Sequence, residues 1–169
     1  MKTVRAFDHA REITELLPKG ILLTTAAGGR VNSMTIGWGM LGTYWGNRPY
    51  FTAVVRESRY SRELLDENPE FTVNVPYGEY DRNIIKVCGS ESGRDGDKIK
   101  KLGLTLVQSS KVNVPGILEL PLTLECRVNC RQKLDVSLLP PEIRAQFYPD
   151  PADPHIAFYG EIVNCCIAE

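Results

Sequence analysis

The sequence predicts a mainly β protein, an antiparallel barrel with short helices at its periphery. Three observations carry this. Apolar and β-branched runs of strand length recur at Ile21 to Ala27, Val31 to Leu41, Tyr50 to Val55, Phe71 to Val75, Leu118 to Leu134 and His155 to Ile167. Glycine, proline or asparagine marks most of the joints between them, with Gly28-Gly29 placed as a hairpin turn. The segments with helical spacing are short and do not alternate regularly with strands, as a parallel sheet would require.

Element by element, Ala10, Ile13, Leu16 and Leu17 sit at helical spacing between residues 8 and 17, with Asp8 as cap and Pro18 as stop. In the strand from Val31 to Leu41, Met34, Ile36, Trp38 and Met40 share one face, and Ser33, Thr35, Gly37 and Gly39 the other. Gly42 to Pro49 is a loop whose Tyr44 and Trp45 either cover a ligand or close the barrel end. Ser61 to Glu67 is a short helix, capped by Ser58 or Ser61 and ended by Asn68-Pro69. Asp81 to Val87 is another, followed by a loop holding Cys88-Gly89 and the polar stretch from Ser90 to Lys98, with a helical turn at Asp97 to Leu102. Gly103 to Val107 is extended. Pro121 lies within the long run from Leu118, which predicts an edge position or a bulge. Residues 137–154 carry Pro140, Pro141, Pro149, Pro151 and Pro154 and form an irregular excursion with one helical turn at Glu142 to Phe147. No linker or repeat divides the chain, so residues 1–169 are read as one domain.

Composition excludes several classes. A formal net charge of -1 gives no electrostatic reason to expect a nucleic-acid partner. No apolar run reaches the ~18 residues of a membrane span, and the charged N-terminus is unlike a secretory signal, so no membrane association and a cytoplasmic location are expected. The five cysteines do not resemble a disulfide framework. Cys126 and Cys130 would share a strand face too far apart to bond. Buried, inert thiols are the ordinary reading, with Cys88 the one expected to react. Nothing shows metal-ligand spacing.

The chemistry concentrates in Asn32 to Gly39 and Arg56 to Ser61. A strand face of small polar residues lets a flat ligand approach the backbone. A helix N-terminus beside Arg56 and Arg59 suits a phosphate dianion. Ordinary roles stand beside these: Trp38 in the core, the arginines paired with Glu57 and Glu63, Lys98 solvated in its charged loop, and His155 and His9 at the surface. Gly37-Trp38-Gly39-Met40-Leu41-Gly42 fits the G-x-G-x-x-G pattern, but Thr43 to Pro49 cannot open the helix that a dinucleotide fold needs there.

These stretches are joined in order by Phe71 to Pro76, Cys88-Gly89-Ser90, Ser92-Gly93-Arg94, Asp97-Lys98 and His155 to Val163. Together they resemble the flavin reductase-like family of FMN-binding split barrels, including its flavoredoxin branch. The resemblance implies a six-stranded antiparallel Greek-key split barrel, a homodimer, and non-covalent FMN near the dimer interface. It implies that Asn32, Ser33, Met34, Thr35 and Trp38 lie along the flavin ring. Ser58, Arg59 and Ser61 would hold phosphate or ribityl oxygens, with Arg56 and Tyr60 alongside. Lys98 would approach the cofactor, and His155 the ring or the incoming NAD(P)H, as the catalytic candidate. The implied activity moves electrons from NAD(P)H through FMN to an acceptor. A flavoredoxin-like carrier serving redox proteins, an oxidase of the pyridoxamine-phosphate type and a non-enzymatic flavin-binding domain are the alternatives. Residues 137–154 do not align with the family, so the donor and the acceptor do not carry over.

Overall fold

The computed structural model describes residues 1–168. Its strands are β1 (Lys2–Thr3), β2 (Ile21–Ala27), β3 (Arg30–Ile36), β4 (Gly39–Tyr44), β5 (Arg48–Arg56), β6 (Glu70–Val75), β7 (Leu106–Val107), β8 (Gly116–Ile117), β9 (Leu122–Lys133) and β10 (His155–Ile167). The helices are α1 (Ala10–Leu16), α2 (Tyr60–Glu67), α3 (Arg82–Ser90), α4 (Lys98–Leu102) and α5 (Pro141–Phe147). No helix among the described residues is long and apolar enough to cross a membrane.

The strands pair antiparallel in the order β3-β2-β6-β9-β10-β5-β4, with β1 also on β10. The two ends of this path, β3 and β4, are sequence neighbours separated only by Gly37 and Trp38. A flat sheet of seven strands would hold its edges about 29 Å apart at ~4.8 Å per strand. The three residue steps from Ile36 to Gly39 reach at most about 11 Å. The sheet must therefore curl until its edges meet, which makes the split barrel.

The stretch from Val31 to Leu41 reads as one strand in the sequence. It breaks at Gly37-Trp38 instead. The corner requires glycine at 39, where a Cβ would lie 2.8 Å from the Thr52 carbonyl oxygen and 3.0 Å from Phe51 Cζ. Trp38 leaves the core in consequence and is 43% exposed.

The barrel interior holds Phe51, Phe71 and Phe158 with Leu23, Val73 and Leu124. Leu22, one residue along β2, faces outward into a second cluster with Ile84, Cys88, Ile99 and Ile117 beneath α3 and α4. Both faces of β2 are covered, and every residue of the strand but Ala26 is buried.

Several local expectations change. Pro121 precedes β9, which is central between β6 and β10 and not an edge. A register shift in the β9–β10 pairing between Tyr159 and Gly160 separates the faces of Cys126, which is buried, and Cys130, which is exposed. Asp8 does not cap α1; it pairs with Arg5 across a 3-10 turn. His9 is partly buried, edge-on to Tyr77 with ring centroids 5.8 Å apart. Cys88 and Gly89 belong to α3 and not to a loop; Asp81 caps the helix start by accepting from the Asn83 amide at 2.8 Å, and Cys88 packs with Ile84 in the second cluster at its far end. Lys98 likewise opens α4, whose cap Asp97 accepts from the Lys100 amide.

Candidate functional site

A cavity of about 280 Å³ lies between β3, the start of α2 and the connection from α3 to α4. Asn32 and Ser61 join two of its walls. Both are buried, and the Asn32 Nδ2 donates to the Ser61 Oγ at 2.8 Å. The third wall presses on the same asparagine, since a Cβ at Gly93 would lie 2.2 Å from Asn32 Oδ1 and 2.8 Å from Tyr60 Cδ1.

Helix α2 opens onto this cavity with Arg59 as its extended N-cap residue and no side-chain cap. The expected cap serines do not serve. Ser61 already lies inside the helix, and Ser58 gives both its amide and its hydroxyl to Asp153, at 3.0 and 2.6 Å. First-turn amides therefore lack a side-chain acceptor. No ion pair or side-chain hydrogen bond among the described residues engages the Arg59 guanidinium, which lines the cavity.

Two more cations border the space. Lys98 is only 4% exposed and donates to the carbonyls of Cys88 at 3.3 Å and Glu91 at 3.0 Å. Burial lowers its pKa. Arg94 donates to the Ser58 carbonyl at 3.1 Å, pairs with Glu63 and lies 5.6 Å from the Tyr60 ring centroid. Arg94 was not among the expected site residues, although the Ser92-Gly93-Arg94 motif carries it. Cys88 also lines the cavity, yet burial raises its thiol pKa more than Lys98 lowers it. It stays a protonated, buried thiol, contrary to the expectation that it is the reactive one.

The remaining sequence-chosen residues divide between this cavity and its surroundings. Ser33 is fully buried and bonds Thr24 at 2.8 Å, in a network that runs through Asn74 to Thr123. It faces away from the cavity. Thr35 lines it, but its hydroxyl donates to the Ile85 carbonyl at 2.6 Å and so ties β3 to α3. Met34 and Tyr60 also line the cavity.

Arg56, Trp38 and His155 form a separate cluster with the proline-rich excursion. Arg56 donates to the carbonyls of Asp153 at 2.8 Å and Phe147 at 3.0 Å, and its Cζ lies 5.4 Å from the Tyr148 ring centroid. Trp38 lies against His155, with centroids 4.6 Å apart at 33°, and edge-on to Phe147 at 5.5 Å. His155 Nδ1 bonds the Tyr148 hydroxyl at 2.7 Å. Burial first, then the Arg56 charge, brings the His155 pKa down to about 4. The imidazole is neutral at physiological pH.

The structure thus brings Asn32, Met34, Thr35, Ser58, Arg59, Tyr60, Ser61 and Lys98 to one cavity. Ser33, Arg56, Trp38 and His155 do not line it. Ser58 joins the two regions, lining the cavity while it holds Asp153 of the excursion.

The strand order and the curled sheet define a split barrel with a cationic cavity at the start of a helix. Residues 14–169 match the flavin reductase like domain, and the chain belongs to that family. Flavoredoxin from Methanosarcina acetivorans is similar in structure, with a TM-score of 0.65 and 27% identity over 89% of this chain and 68% of that one. Nitrilotriacetate monooxygenase component B from Bacillus cereus has a TM-score of 0.69 at 17% identity, over 100% of this chain and 82% of that one. An uncharacterized protein of Archaeoglobus fulgidus is 46% identical over 74 residues, 44% of this chain. The chain spans about half the length of the curated relatives it matches, from 41% to 59%.

Proposed function

We propose that this chain binds FMN without a covalent bond and acts as an oxidoreductase, passing electrons from NAD(P)H to an acceptor. The observation that carries the reading is the uncommitted Arg59 guanidinium beside an uncapped helix start, at a cavity whose floor is the buried Asn32–Ser61 pair. A phosphate dianion needs such a combination of unspent donors and positive charge. The donor set fits FMN: Arg59 and the first turn of α2 would take the phosphate, with Lys98 and Arg94 adding positive charge. Asn32 and the backbone of β3 would present donors to the polar edge of the ring. Bound flavin would supply the acceptor for hydride and a route for electrons in ones or twos. The protein's task is to bind, orient and exclude water, and no general acid or base is assigned.

Trp38 and His155 form the wall on which the nicotinamide is proposed to rest. The indole offers a flat face and the neutral imidazole an uncharged polar group. We further propose a homodimer with the cofactor near its interface. The edge strand β4 leaves Met40 and Tyr44 exposed, with Trp45 just beyond, which suits burial against a second copy. Five free cysteines suit the reducing cytoplasm, and one domain over residues 1–169 accommodates every role above.

A second reading, a flavoredoxin-like carrier between redox proteins, is favoured by the 27% identity to a flavoredoxin across most of the chain. Anaerobic addition of NADH and of NADPH to the FMN-loaded protein separates the two. Prompt bleaching of the flavin absorbance supports the reductase. Flavin that bleaches only with a reduced protein donor supports the carrier.

A further inference from the structure

We propose that Tyr148, from the proline-rich excursion, is a positioning residue: its hydroxyl holds His155 in the tautomer whose proton sits on Nε2, leaving that N–H as an outward donor beside Trp38. The bond from Tyr148 Oη to His155 Nδ1 is 2.7 Å, between two side chains that are 6% and 7% exposed. A phenol is the better donor of the pair and an imidazole nitrogen the better acceptor. The reverse arrangement would leave the buried phenolic proton without an acceptor, because the Tyr148 hydroxyl has no other hydrogen-bond partner among the described residues. Arg56, 5.4 Å from the ring centroid, favours a phenol that gives its proton toward the imidazole. Nε2 makes no hydrogen bond among the described residues and is not a buried orphan, so it is open to solvent or ligand.

The charged groups around His155 act in the same direction. Arg56 and Arg59 oppose a second proton on the ring, and Asp153 only partly offsets them. The ring therefore stays neutral and, with Nδ1 accepting, keeps one fixed N–H. Such a donor suits an uncharged acceptor such as a carboxamide oxygen, with the attached heteroaromatic ring against the Trp38 indole. This gives the excursion a role: Phe147 and Tyr148 are carried to the barrel mouth, where Arg56 holds the Phe147 and Asp153 carbonyls. The tautomer stands on geometry alone; its use in turnover rests on the reductase reading.

The test is long-range proton–nitrogen NMR on the full, FMN-loaded chain labelled at histidine. There are two histidines, and His9→Gln assigns the signals. His155 is expected to show the Nε2–H pattern, unchanged from pH 5 to 8. In Tyr148→Phe the pattern should become a tautomer mixture or titrate within that range. KM for NAD(P)H should rise several-fold, with kcat less affected and FMN affinity unchanged. An Nδ1–H pattern in the parent protein overturns the proposal whether or not the variant folds, as does an unaltered His155 signal in a folded Tyr148→Phe. The Nε2–H pattern without NAD(P)H turnover would uphold the tautomer and overturn only the reductase reading.

Discussion

Asp153 holds Ser58 by two hydrogen bonds, from the amide at 3.0 Å and from the hydroxyl at 2.6 Å, and so fastens the proline-rich excursion to the segment that opens helix α2. The neighbouring backbone bond, from the Glu57 amide to the Pro154 carbonyl at 2.9 Å, reinforces the same junction. Replacing Asp153 with Ala should remove roughly 1.5 kcal/mol of stability, the lower end for hydrogen bonds to a charged acceptor, because the site is partly solvated. It should also make residues 137–154 more sensitive to protease. Urea unfolding and limited proteolysis read the two effects; unchanged cleavage in the variant would show that the excursion is held by other contacts.

His155 should make stability depend on pH. Its folded pKa, about 4, lies below the ordinary 6.5, so between these values the unfolded chain binds more protons than the folded one. The contribution is fully present above pH 6.5 and is lost as pH falls toward 4. Urea midpoints across this window should fall with decreasing pH in the parent protein, and the slope should shrink in His155→Gln. Equal slopes would locate the acid sensitivity elsewhere.

Gly93→Ala should loosen the cavity. The added methyl would sit 2.2 Å from Asn32 Oδ1, so either the glycine-rich wall or the asparagine must move. Overpacking of this kind costs about 1–3 kcal/mol, and FMN affinity should fall with it. Calorimetric titration and thermal melting check both; wild-type affinity would mean that the wall and Asn32 take no part in binding.

Cysteine reactivity offers another test. Of the five thiols only Cys130 is exposed, and burial raises the pKa values of Cys88, Cys126, Cys165 and Cys166. One thiol per chain should react rapidly with a disulfide reagent, and Cys130→Ser should abolish that phase. A fast phase that survives in the variant would reveal an accessible site the fold does not show.

Much of the architecture was legible because its signals are local. Period-two apolar patterns located the strands, and the last, His155–Ile167, appears with the expected bounds. Gly28-Gly29 forms the hairpin turn with both residues at positive φ. The break at Gly37-Trp38 was not legible, because alternation continues across it and only the backbone of β5 makes a corner necessary. The candidate site followed the same division. Arg59, Ser61 and Asn32 converge because the helix start and the strand were both recognisable. Ser33 and Thr35 stand on the small polar face expected beside a flat ligand, but their partners Thr24 and Ile85 come from a neighbouring strand and a helix that no local pattern reveals. Tyr148 was missed for a related reason: its link to His155 depends on how an unalignable, proline-rich segment folds back.

The proposed phosphate site consists of Arg59 and the start of α2. Its most direct test is the affinity of the full chain for FMN and for riboflavin, which lacks the phosphate, in the parent protein and in Arg59→Ala. FMN should bind more tightly than riboflavin in the parent, and FMN alone should lose roughly tenfold or more in the variant, as for a charge-assisted contact. Equal affinities for the two flavins in the parent, or an FMN affinity untouched by the substitution, would contradict it.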